Sequence, residues 1–221
     1  MNKSGNSKVR ALLLVGPPGS GKGTQGRALG ALPSFVHCSC GDVLRSMDVG
    51  SELGQKFLEH SRAGNLVPDT MAIKLWKLHI EGISSLGKYI PHTDYLVLDG
   101  IPRNLAQARL MDVYIEVFHV FNLRCVSRSM LIERVRKRAL KENRSDDADK
   151  TVINRRLDIY ESESQPLLNH YATAKVHSLD AMQPPHFILK EMLDWIIVDE
   201  SYYNMRGRNL DARAGSKAVK E

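Results

Sequence analysis

The chain has 221 residues, long for one compact domain and short for two full ones, so one domain with small inserted flaps is expected. Apolar residues make up 43% and charged residues 25%, enough for a true core under an ordinary polar surface. Thirty-one basic against 25 acidic residues leave a net charge of +6, which suits a polyanionic partner or simply a basic protein. The three cysteines, Cys38, Cys40 and Cys125, exclude a disulfide framework and have poor spacing for zinc. A reduced, cytoplasmic protein is the simplest expectation. The opening MNKSGNSK carries no apolar segment of a leader, and no apolar run approaches a membrane span.

Five apolar runs read as strands: Val9–Val15, Ser34–Cys38, Thr93–Leu98, Glu116–Leu123 and Lys175–Leu179. The first ends at a glycine and the third at Asp99-Gly100. Stretches with helical spacing lie between them. SELGQKFLEHSRAG ends at Gly64, a C-terminal stop signal. DTMAIKLWKLHIEG places Met71, Leu75, Leu78 and Ile83 on one side. VSRSMLIERVRKRAL and DKTVINRRLDIYESESQPLLNHYA are long and charged. Continuous apolar strands alternating with helices predict an α/β fold, a five-stranded parallel sheet covered on both faces. Such a sheet takes ligands at the carboxyl ends of its strands. The last stretch, 199–221, loses periodicity, turns basic and reads as a solvated tail, as does the polar segment 1–9.

The first strand runs directly into GPPGSGKGT. A loop that leaves a buried strand and enters a helix exposes unpaired backbone N–H groups. Gly16, Gly19, Gly21 and Gly23 remove side chains, so those groups can converge on one anion. Lys22 adds a full charge and the new helix its positive dipole end. Gly16 to Lys22 fits the phosphate-loop pattern, but the hydroxyl that would meet magnesium comes one place late, at Thr24.

This loop resembles that of adenylate kinases and their nucleoside monophosphate kinase relatives. Further blocks carry the resemblance. CSCGDVLR (Cys38–Arg45) is similar to the family's S-T-G-D-[ML]-L-R, with Cys40 in place of a threonine or alanine. A thiol is a feeble hydrogen-bond donor, so a contact to the acceptor base would be weakened there. AGNLVPD is similar to the family's G-x-L-V-P turn, and LVLDGIPRN to DG-[FY]-PR with Ile101 replacing the aromatic. Gln107 stands four residues past Arg103, where its amide can both donate to and accept from an adenine edge. RSDD, from Arg144, resembles the family's R-x-D-D. The last family arginine falls on Arg155 or Arg156, depending on whether the register is counted from Thr151 or from Tyr160. Arg136 and Lys137 read as a solvated helix face. KVHSLDAMQPP resembles the last strand and the loop on the donor base. The resemblance runs from about Arg10 to about Trp195.

The resemblance implies a phosphate-loop three-layer fold over 10–198, with a helical acceptor-binding flap at about 40–69 and a short lid at about 138–147. It implies reversible magnesium-dependent transfer between ATP and AMP, giving two ADP. Gly19, Ser20, Gly21, Lys22, Gly23, Thr24, Arg134, Arg138 and Gln183 would hold ATP. Cys40, Arg45, Asn65, Leu66, Val67, Gly100, Arg103, Gln107, Arg144 and Arg155 or Arg156 would hold AMP. Lys22, Arg103, Arg138, Arg144 and one or both of Arg155 and Arg156 would act on the moving phosphoryl group. Thr24, and Asp99 through water, would hold magnesium. The short lid implies no structural zinc. A monomer is expected, without nucleic-acid or membrane partners. The rival readings are a UMP/CMP kinase of the same fold and a phosphate-loop ATPase or nucleotide-binding protein.

Overall fold

The computed structural model describes residues 8–45, 48, 50–142 and 149–199. The expected tail beyond Asp199, residues 1–7 and residues 143–147 of the expected lid lie outside the described residues. Five strands, β1 (Val9–Val15), β2 (Phe35–Ser39), β3 (Tyr95–Asp99), β4 (Ile115–Arg124) and β5 (Val176–Asp180), form one sheet. Its order is β2-β3-β1-β4-β5 and every pairing is parallel. All strand ends therefore point to one edge, where a ligand site is expected.

Strand parity divides the core. Ala11, Leu13, Val15, Cys38, Leu96 and Leu98 face one side. There they meet α2 (Cys40–Arg45), α3 (Glu52–Arg62), α4 (Asp69–Ser85) and α5 (Leu105–Met111). Leu12, Leu14, Phe35, Tyr95 and Val97 face the other, under α1 (Lys22–Gly30) and α8 (Pro185–Val198). In β4 the register slips opposite Ala11 and Leu12, passing over Phe118. This bulge lets Val117 and Val120 share the first face despite their odd spacing. A third, smaller cluster of Leu131, Val135, Ile153 and Leu157 joins α6 (Arg128–Glu142) to α7 (Lys150–Ile159). Arg128 fastens the same pair, with Nη2 2.6 Å from Asp158 and 3.0 Å from the Asn154 carbonyl.

Three differences from the sequence reading have physical causes. The strand expected to begin at Thr93 begins at Tyr95, because Asp94 is drawn into a turn and its carboxylate accepts from the Ile90 amide. Leu78, expected on the apolar side of α4, is 53% exposed; the buried stripe is centred on Ala72, Trp76 and Ile80 instead. The long stretch after Asp149 is not one helix. It leaves α-geometry at Tyr160, runs through a π-turn and tightens to a 3₁₀ helix over Gln165–His170, whose Pro166 lacks an amide to continue the ladder.

α1 carries glycines at 23, 26 and 30, a poor composition for a helix interior. The reason is close approach. A Cβ on Gly26 would stand 2.3 Å from His37 Nε2, and one on Gly30 would stand 2.6 Å from His37 Cβ. The bare stripe lets the helix settle onto the imidazole. We predict that Gly26→Ala destabilises the protein by about 1–3 kcal/mol in urea unfolding, through overpacking. The loss should shrink in a His37→Ala background, because the clash is with that ring.

Candidate active site

A cleft of about 600 Å³ opens along the carboxyl edge of the sheet. Its floor is the turn between β1 and α1. Gly19 holds φ +87°, and a Cβ there would lie 2.8 Å from the Leu131 carbonyl oxygen, so neither the conformation nor the space admits a side chain. Gly21 occupies the N-cap of α1 in the left-handed region and offers no side chain to the helix's first amides. Those amides and the helix dipole make the floor attractive to anions.

Lys22 lies at the centre of the floor. Its Nζ donates to the carbonyls of Gly16 at 2.7 Å and Pro17 at 3.0 Å. Burial pulls its pKa from the ordinary lysine range down to about 8; Asp99 opposes this, while Arg103, Arg138 and Arg156 reinforce it. Three guanidinium groups from three separate segments thus converge on one ammonium. Arg103 is turned back by the bend after β3, with Nε donating to the Gly100 carbonyl at 2.9 Å. Gly100, at φ +76°, leaves the space that its guanidinium fills, 3.3 Å from where a Cβ would stand. Ile101, in the place of the expected aromatic, is buried in the core. Arg134 and Arg138 share one face of α6 and both line the cleft; Arg134 Nη1 also donates to the Ala181 carbonyl at 2.8 Å.

The two arginine registers separate clearly. Arg156 lines the cleft, whereas Arg155 is exposed and does not. Ile153 and Leu157 anchor the face of α7 opposite Arg155, which sets the rotation and leaves Arg156 beside the buried stripe. The Arg45 side chain and Arg144 lie outside the described residues. Every other expected site residue borders the cleft: Gly19 to Thr24, Cys40, Asn65 to Val67, Asp99, Gly100, Gln107 and Gln183. Lys137, read as solvated, is both largely exposed beside Glu133 and on the rim.

Asp99 ends β3 and is 9% exposed. Burial raises its pKa, but His37, Lys22 and Arg103 together outweigh burial and the net direction is down. His37 Nε2 stands 3.7 Å from Asp99 Oδ2, close but too long for a hydrogen bond. Sequence reading missed His37. Strand parity held the signal, since Phe35 and His37 must face the same helix as Tyr95, Val97 and Asp99. Gly23 lies beside the Asp99 carboxylate, 3.5 Å from a hypothetical Cβ, so α1 brings Thr24 to the same corner. One carboxylate and one hydroxyl beside a phosphate floor fit a hard cation such as magnesium, which binds oxygen and keeps several waters.

The Lys22 shift has a measurable consequence. With its pKa pulled down to about 8, this amine should lose its proton as the pH rises through that value, and a polyphosphate placed beside it would favour the charged form. Calorimetry of ATP binding in buffers of different ionisation enthalpy should show proton uptake near pH 9 and almost none at pH 6.5. Uptake equal at both values would contradict the assignment.

The family model described as adenylate kinase matches residues 14–176. A protein named adenylate kinase from Maricaulis maris is 36% identical over 178 residues, covering 77% of this chain and 90% of that protein. One of the same name from Synechococcus sp. (strain RCC307) is 35% identical over 161 residues, covering 72% of this chain and 83% of that protein. Another from Thermobifida fusca is 34% identical over 180 residues, with 78% and 90% covered. With the phosphate floor, the converging arginines and this similarity over most of its length, the chain belongs to the adenylate kinase family.

Proposed function

We propose that the chain transfers the γ-phosphoryl group of ATP to AMP reversibly, giving two ADP. The observation that carries this reading is the convergence of Lys22, Arg103, Arg138 and Arg156 on one cleft that also reaches Gln107. Two polyanions facing each other need this density of cations, and transfer between phosphates needs little else from the protein. The attacking oxygen is already charged, so no general base is required.

In this reading the glycine floor and Lys22 hold the donor phosphates. Arg138 and Arg156 neutralise the equatorial oxygens of the moving group, and Arg103 orients the acceptor phosphate. Arginine suits these tasks because its planar fork grips two oxygens and stays charged when buried. Arg134 and Gln183 lie toward the donor base. Cys40, Asn65 to Val67 and Gln107 enclose the acceptor base. Magnesium, bound at Thr24 and through water to Asp99, would neutralise charge on the donor phosphates.

A coupled assay with AMP, UMP and CMP tests the acceptor. AMP should be the preferred substrate; a higher kcat/KM for CMP would reject the reading. Arg156→Ala should lower kcat by about 10²–10³, the scale of a lost charge-assisted contact in a transition state. Arg155→Ala should change it less than about threefold, as expected for an exposed side chain away from the cleft. Equal losses in both variants would refute the placement of Arg156.

A further inference from the structure

Gln107 is 1% exposed and yet borders the acceptor end of the cleft. Its carboxamide is held at both ends. Oε1 accepts from the Arg103 backbone N–H at 2.7 Å, and Nε2 donates to Asp69 Oδ1 at 2.9 Å. A backbone N–H can only donate and a carboxylate can only accept, so the amide has one permitted orientation. Flipping it would set two donors against each other and two acceptors against each other.

Asp69 is itself fixed. It opens α4, where the helix dipole favours a negative charge. The same Oδ1 accepts from Asn104 Nδ2 at 3.0 Å. Asn104 in turn caps α5, its Oδ1 accepting from the Gln107 amide at 2.8 Å. Asp69 does not border the cleft.

The remaining capacity of the carboxamide follows from this network. Nε2 keeps one N–H, and Oε1 keeps one lone pair. An adenine edge presents an acceptor at N1 and a donor at N6, the complement of that pair. A 6-oxo purine presents the reverse, a donor at N1 and an acceptor at O6. It would match the flipped amide, which Asp69 and the Arg103 backbone forbid. We propose that Asp69 is a positioning residue that fixes the Gln107 carboxamide and so makes the acceptor pocket choose a 6-amino over a 6-oxo purine. The inference rests on the reading of the cleft as an AMP acceptor site.

The test uses the full chain with ATP as donor and AMP or IMP as acceptor. Asp69→Ala should raise the KM for AMP about tenfold, equivalent to ~1.4 kcal/mol. The kcat and the KM for ATP should stay within about twofold. The AMP-to-IMP ratio of kcat/KM should fall about tenfold, because only the Arg103 backbone N–H then opposes the turned amide that meets a 6-oxo base. Asp69→Asn should restore AMP binding, since its carbonyl oxygen can accept the same N–H. Circular dichroism checks the fold. If the alanine variant fails to fold, Asp69→Ser, which keeps an oxygen in the first helical turn but falls short of Gln107, is read in the same way. An unchanged AMP-to-IMP ratio, or an ATP KM that rises as much as the AMP KM, overturns the inference while wild-type AMP activity leaves the acceptor reading intact. A wild-type chain that does not phosphorylate AMP overturns both.

Discussion

One ammonium and three guanidinium groups crowd a single cleft, and like charges at such range repel. The fold must hold them against that repulsion until an anion arrives. For Lys22 and Arg103 it does so with backbone. Lys22 donates to two carbonyls of its own loop, Arg103 to the carbonyl of Gly100, and Arg134 at the cleft's edge to that of Ala181. Carbonyl oxygens carry partial negative charge without adding an anion that a phosphate would have to displace. Asp99 is the one buried carboxylate at the cleft among the described residues, and it sits to the side, against His37.

That arrangement depends on how closely α1 can lie on the sheet. A helix with ordinary side chains at 26 and 30 would stand farther off, and Lys22 would leave the point where the arginines meet. The glycine stripe gives up helix propensity to bring the charge in, so local stability is surrendered for position. The large cores on both faces of the sheet supply the compensation.

Much of this was legible in the sequence. The five strands are short apolar runs, the first closed by glycine and the third by Asp-Gly, and the phosphate floor is a contiguous string whose chemistry is local. What was hidden depends on long-range geometry. Arg155 and Arg156 are neighbours about 100° apart on a helix, and only packing at Ile153 and Leu157 decides which one faces inward. His37 and Asp69 carry no motif of their own; each matters through a partner far along the chain, Asp99 or Gln107. The exposed Leu78 shows the opposite failure, a spacing that fits a helix side without revealing where that side is centred. Pro166 was visible, but a helix ending before it through a π-turn was not.

The cluster that joins α6 to α7 is separate from both faces of the sheet. Its four buried residues grip the two helices to each other, and Arg128 rivets them from outside. Arg134, Arg138 and Arg156 all ride on this hairpin. Like teeth on one jaw, they share a single rotation, so a tilt of a few degrees advances or withdraws every one of these charges in concert rather than one by one.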